Sequence, residues 1–137
     1  MERDRVTFLI VDDDEVSVMA VRRALQRLQV ENPVAVARDG VEALEVMENL
    51  PRPYIILLDI NMPRMNGHEF LAAIRDNPDH RTHVVFVLTT SDAPQDIMHA
   101  YERQIAGYIV KENAFRSIGA AVKMLDDYIE TVRLPAA

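Results

Sequence analysis

Four short apolar runs in this sequence are each followed at once by side chains that can handle charge. Asp12, Asp13, Asp14 and Glu15 follow the run 6–11, and Asp59 follows 54–58. Thr89, Thr90 and Ser91 follow 84–88, and Lys111 follows 107–110. Carboxylates brought within a few ångströms of one another cannot all stay ionised unaided: one pKa rises, or a cation joins them. An all-oxygen acidic pocket suits hard Mg²⁺ better than a transition metal, and Mg²⁺ is commonly held by one or two carboxylates together with phosphate oxygens. A lysine opposite the acids can pair with one of them or hold a phosphate oxygen. A threonine hydroxyl can donate to another oxygen. A carboxylate can itself attack phosphorus, giving an aspartyl phosphate. Brought together, these residues suit a phosphoryl group carried on an aspartate.

For the run ends to meet, the runs must lie side by side. Residues 6–11, 34–37, 54–58, 84–88 and 107–110 are near-continuous apolar stretches, most of them rich in Val and Ile. Such runs suit strands buried on both faces of a parallel sheet. Helical periodicity fills the intervals: Val18, Val21, Leu25 and Leu28; Val41, Leu44 and Met47 or Glu48; Phe70, Ala73 and Ile74. The longest stripe is Ile118, Val122, Leu125, Ile129 and Val132. Ser91 or Asp92 ahead of Pro94 predicts a helix start, and Asn113 suits the cap of the last helix. The alternation predicts a (βα)5 fold, an open parallel sheet with helices on both faces. Ligands of such sheets bind beyond the carboxyl ends of the strands, where the strand order reverses.

Composition narrows the classes. The chain has 137 residues, 49% hydrophobic and 27% charged, with 22 acids against 15 bases and no cysteine. That length and balance fit a single domain spanning 1–137. The absence of cysteine excludes a disulfide scaffold, a thiolate zinc site and a cysteine nucleophile. A net charge of −7 without a basic run argues against nucleic acid or an anionic membrane as partner. The polar start and the short run 6–11 fit neither a signal peptide nor a membrane span, so a cytoplasmic protein is expected.

The stretches Phe8-Leu-Ile-Val-Asp12-Asp13-Asp14, Asp39-Gly-Val-Glu-Ala-Leu44, Leu57-Leu-Asp59-Ile-Asn-Met-Pro-Arg-Met-Asn-Gly67, Val87-Leu-Thr89-Thr90-Ser91 and Gly107-Tyr-Ile-Val-Lys111, in this order and spacing, resemble the CheY-like receiver domain of two-component response regulators. The resemblance spans most of the chain. It implies a flavodoxin-like doubly wound α/β sheet of strand order 2-1-3-4-5, a fold that is itself among the examples behind the strand-end rule. It implies that Asp59 is the phosphoacceptor, that Asp13, Asp59 and the backbone carbonyl of Asn61 ligate Mg²⁺, and that Asp12 acts through a metal-bound water. It further implies that Lys111 and Thr89 each hold a phosphoryl oxygen and that Tyr108 is a switch residue. Strand parity adds that Tyr108 and Lys111 point to opposite faces.

Taken singly, these residues have plainer readings. Asp14 and Glu15 suit a helix N-terminus, where acids are favoured. Thr89 and Thr90 are ordinary strand-end residues, and only spacing selects Thr89. His68, His80, His83 and His99 show no ligand spacing; they are expected at the surface or its boundary, and neither as a metal site nor as a phosphohistidine relay. The family commonly has proline after the pocket lysine; here Glu112 follows Lys111, and a cis bond is improbable there. The family positions that tune phosphoryl lifetime hold Asn61 and Ser91, neither of them a base.

The residues beyond Lys111 suffice for one helix and a tail, with no output domain. Ala121, Met124, Tyr128 and Leu134 widen the apolar stripe, so a homodimer interface at the C-terminal helix is expected, the plainer reading being a broad core-facing stripe. The Lys-Glu-Asn ending and apolar tail resemble regulators paired with phytochrome-type histidine kinases. The expected function is phosphoryl acceptance from a sensor histidine kinase or phosphotransfer protein, without enzyme turnover. A never-phosphorylated module of the same fold and an Mg²⁺-dependent phosphohydrolase are the competing readings.

Overall fold

The computed structural model describes residues 6–111 and 114–135. Five strands and five helices alternate: β1 (Thr7–Val11), α1 (Glu15–Arg27), β2 (Val34–Ala37), α2 (Gly40–Met47), β3 (Tyr54–Leu58), α3 (Gly67–Asp76), β4 (Val84–Thr89), α4 (Pro94–Glu102), β5 (Gly107–Val110) and α5 (Ala114–Thr131). The strands form one parallel sheet of order β2-β1-β3-β4-β5, as expected. The order reverses between β1 and β3. The register aligns Val11 with Leu58, Leu58 with Val87 and Thr89 with Val110. The residues that follow these strands therefore emerge along one edge.

Side-chain alternation along the strands divides the interior into two layers. Phe8, Ile10, Ile55, Leu57, Phe86 and Leu88 pack with Val21 and Leu25 of α1 and Ile118, Val122 and Leu125 of α5. Leu9, Val11, Ile56, Leu58, Val85 and Val87 pack with Ala43 and Met47 of α2, with Phe70, Leu71 and Ile74 of α3, and with Ala100 of α4. Both layers being full explains why β1 and β3 are buried at every residue. Truncating a central side chain such as Ile56 to Ala would cost about 2–5 kcal/mol.

Some local expectations are corrected. Ala93, not Ser91 or Asp92, stands at the N-cap of α4, with no side-chain cap bond; the Ser91 hydroxyl is engaged with Asp96 instead. Leu28 terminates α1 and is exposed. The inner face of α2 is Gly40, Ala43 and Met47, with Val41 and Leu44 only half-buried. The extra breadth of the α5 stripe turns inward: Ala121 is buried, and Met124, Tyr128 and Leu134 pack against the same interior layer. Tyr128 meets Phe86 edge to face. Val132 lies past the helix and is exposed. His83 is buried rather than a boundary residue. Asn113 as a cap and the bond from Lys111 to Glu112 lie outside the described residues. Among the described residues, no helix is long and apolar enough to cross a membrane.

Candidate functional site

Asp12 follows β1 and is held by its backbone N–H on the Ala37 carbonyl; Asp59 follows β3 and is held in the same way on Val11. Main-chain pairing carried one residue past the strands thus fixes both carboxylates at the point where the strand order reverses. Asp13 is exposed beside them. Oxygens of Asp12, Asp13 and Asp59 lie within 4.8 Å of one another, the only such acidic or histidine group among the described residues. Asp14 does not join them. It is the N-cap of α1, accepting from the Val16 N–H at 3.0 Å and from the Ser17 hydroxyl at 3.1 Å. Glu15, in the first turn, pairs with Arg38, both groups exposed.

Lys111 reaches in from the end of β5. Its ammonium donates to Asp12 Oδ2 at 2.9 Å and to the Ser17 hydroxyl at 2.9 Å, and both ionic side chains are only 6% exposed. Ser17 was not singled out in the sequence; its one signal is a hydroxyl three residues after a capping aspartate. Burial pushes the Asp12 carboxyl above its ordinary value, although the Asp14 N–H and Lys111 oppose the shift. Three acids thus face one cation, a deficit of positive charge that a hard divalent ion would fill.

Thr89 ends β4 fully buried, and its hydroxyl donates to Asp59 Oδ1 at 2.6 Å. The Asn61 N–H also approaches that oxygen, at 3.4 Å. The loop carrying Asn61 is pinned from two sides. The Gly67 N–H bonds the Ile60 carbonyl and the Gly40 N–H bonds Met65, while Arg64 grips Asp39 with two donors at 2.8 and 3.2 Å. Asp39 is at once the N-cap of α2, and Arg64 holds its carboxyl below the ordinary range. A Cβ on Gly67 would stand 2.5 Å from the Asp59 carbonyl oxygen, so this close approach requires glycine.

Tyr108 lies three residues before Lys111 and packs against the opposite layer. Its hydroxyl donates to the Ser91 carbonyl at 2.9 Å. The Ser91 hydroxyl donates to Asp96 Oδ2 at 2.5 Å, and Asp96 Oδ1 meets His68 Nε2 at 2.9 Å. A continuous chain of bonds therefore leads from the loop after Thr89 to α3 and α4. The sequence offers Ser91 as a cap for α4 and as a small residue without a base, not as this link.

The model of the response regulator receiver domain matches residues 8–123. The chain is 35% identical over 136 residues to Response regulator Rcp1 of Synechocystis sp., covering 94% of this chain and 92% of that one. The structure of the Mn²⁺-bound form of Rcp1 superposes with a TM-score of 0.84, at 34% identity over 95% of this chain and 99% of that one. The phosphorylated cyanobacterial phytochrome response regulator RcpA gives a TM-score of 0.86, at 30% identity over 96% and 99%.

Proposed function

The chain belongs to the response regulator receiver domain family, and from that membership we propose that it takes a phosphoryl group from a histidine kinase or phosphotransfer protein onto Asp59. The observation that carries this reading is the bond from Thr89 to Asp59 Oδ1, because it occupies one carboxylate oxygen and leaves Oδ2 for attack. In that step Oδ2 forms a bond to phosphorus as the bond from phosphorus to the donor nitrogen breaks, and the donor imidazole takes up a proton.

The residues fit Mg²⁺. Three carboxylates converge without a nitrogen or sulfur donor, and Mg²⁺ prefers oxygen ligands. Asp13, Asp59 and the Asn61 carbonyl would hold it directly and Asp12 through water. The ion would supply positive charge for the phosphoryl oxygens. Lys111, which donates to Asp12, would add a second positive charge.

Phosphorylation adds negative charge to a crowded acidic pocket. Asp59 Oδ1, which accepts from the Thr89 hydroxyl, becomes the weaker carbonyl acceptor of an acyl phosphate, and the hydroxyl turns to a charged phosphoryl oxygen. The loop through Ser91 moves with it, and the Tyr108 bond to Ser91 is disturbed. This biases a two-state surface formed by α4, β5 and α5. A phosphohydrolase is not favoured, since the position two beyond Asp59 is Asn61 and offers no acid/base.

Residues 1–137 are read as one receiver domain working in the cytoplasm. Likeness to RcpA, described as a phytochrome response regulator, supports a phytochrome-type kinase as the donor. Homodimerisation through the C-terminal helix region completes the proposal. Exposed Val132, beside the half-buried Met124, Tyr128 and Leu134, supports it. The test is phosphotransfer from a panel of autophosphorylated histidine kinases, phytochrome-type included: label should pass to this chain and not to its Asp59→Asn variant.

A further inference from the structure

We propose that His68, His99 and Glu102 form a second metal site, between α3 and α4, that takes a divalent transition-metal ion such as Zn²⁺ or Co²⁺. The three residues, with Arg103, line one cavity of about 280 Å³.

His68 is prepared for such a role. Its Nε2 lies 2.9 Å from Asp96 Oδ1, and a carboxylate only accepts, so the shared hydrogen belongs to Nε2. In the neutral ring Nδ1 then carries the lone pair, and this atom is buried without any hydrogen-bond partner. A histidine that donates one ring N–H to a carboxylate and leaves the other nitrogen free is the usual form of a metal ligand, the carboxylate fixing the tautomer and raising basicity.

His99 stands beside it. The two rings meet edge to face with centroids 5.5 Å apart. Rings bound to one tetrahedral ion at about 2.0–2.1 Å per nitrogen have centroids roughly 5 Å apart. Glu102 lies three residues after His99, on the same face of α4. The ligand atoms of His68, His99 and Glu102 do not yet converge, but His99 and Glu102 are exposed and can rotate to close the site, and exposed Arg103 can turn outward. Two imidazoles and one carboxylate select a transition metal, whereas the all-oxygen group at Asp12, Asp13 and Asp59 selects a hard ion.

The other close histidine pair lacks this preparation. His80 Nδ1 is 3.0 Å from His83 Nε2, but the Arg52 guanidinium stands 3.3 Å from the same His80 nitrogen. The Tyr54 hydroxyl occupies His83 Nε2 at 2.8 Å.

Asp96 also accepts from Ser91. An ion on His68 and His99 would tie α3 to α4 next to the loop that leaves Thr89. If that loop switches on phosphorylation of Asp59 as proposed, the ion would hold it against movement.

The test uses the tag-free full chain in excess Mg²⁺, titrated with Co²⁺ and followed by visible absorption. One Co²⁺ should bind with a ligand-field band. Binding should weaken at least tenfold in His68→Ala and in His99→Ala, and by about 10–100-fold in Asp96→Asn, which removes the supporting carboxylate. It should persist in His80→Ala and in Asp13→Asn. Absence of a band, unchanged binding in His99→Ala (an exposed position whose loss does not threaten folding), or loss in Asp13→Asn would each overturn the proposal. None of these outcomes bears on whether Asp59 is phosphorylated.

Discussion

The hydroxyl of fully buried Thr89 donates to Asp59 Oδ1 across 2.6 Å, joining the end of β4 to the end of β3. Replacing Thr89 with isosteric valine keeps the volume and removes the donor. A charged acceptor then loses a buried partner, at about 1–3 kcal/mol. Urea denaturation of Thr89→Val without divalent ions should show this loss. Beryllofluoride should still bind the variant, but the amide shifts of Ser91 and Tyr108 that accompany binding should be largely abolished.

Lys111 and Asp12 form a buried ion pair. Removing one member of such a pair leaves the other charge unpaired and costs about 3–5 kcal/mol. Lys111→Met should lie near the lower bound, because burial already raises the Asp12 pKa and allows it to neutralise. Denaturation at pH 8 and pH 5 should show a smaller deficit at the lower pH.

The raised Asp12 pKa also predicts a metal effect with a definite pH dependence. The folded chain keeps a proton on Asp12 where the unfolded chain, at the ordinary 3.8, has released it. That contribution is complete below 3.8 and is lost as pH rises through the raised value. A divalent ion replaces the missing positive charge at neutral pH. Mg²⁺ at one hundred times its Kd should stabilise the protein by about 2.7 kcal/mol. Thermal melts should show a larger Mg²⁺ effect at pH 7.5 than at pH 4.5, and none in Asp13→Asn.

The limits of sequence reading show in particular residues. Strands with both faces buried announce themselves as apolar runs, so β2, β3 and β5 lie within the expected bounds. The acids, threonine and lysine were legible because strand ends are marked by that change in polarity. Their pairing was not. Lys111 meets Asp12 and Ser17 only because β5 and β1 end on the same edge. The α4 cap failed because Ser91, a good capping residue, is used by Asp96. The breadth of the α5 stripe could not reveal that Tyr128 turns in toward Phe86. Nor could any periodicity bury His83, which lies just before β4 and is bonded to Tyr54.

His83 gives a second pH prediction, of opposite sign. Burial first, then Arg52, His80 and Arg75, lowers its pKa from 6.5 to about 4. Between those values the unfolded chain binds a proton that the folded chain refuses. The contribution is complete above pH 6.5 and is lost as pH falls toward 4, about 3 kcal/mol at most. His83→Gln should flatten the decline in urea-denaturation stability between pH 6.5 and 4.

Phosphoryl acceptance by Asp59, in a pocket completed by a divalent ion, is tested directly by intact-mass and peptide analysis. The chain is incubated with acetyl phosphate and Mg²⁺, beside Asp59→Asn and a sample lacking divalent ions. One phosphoryl adduct is expected, mapped to Asp59, formed only with Mg²⁺ and absent from Asp59→Asn. An adduct of equal yield in Asp59→Asn, or no adduct on the unaltered chain, would contradict the assignment.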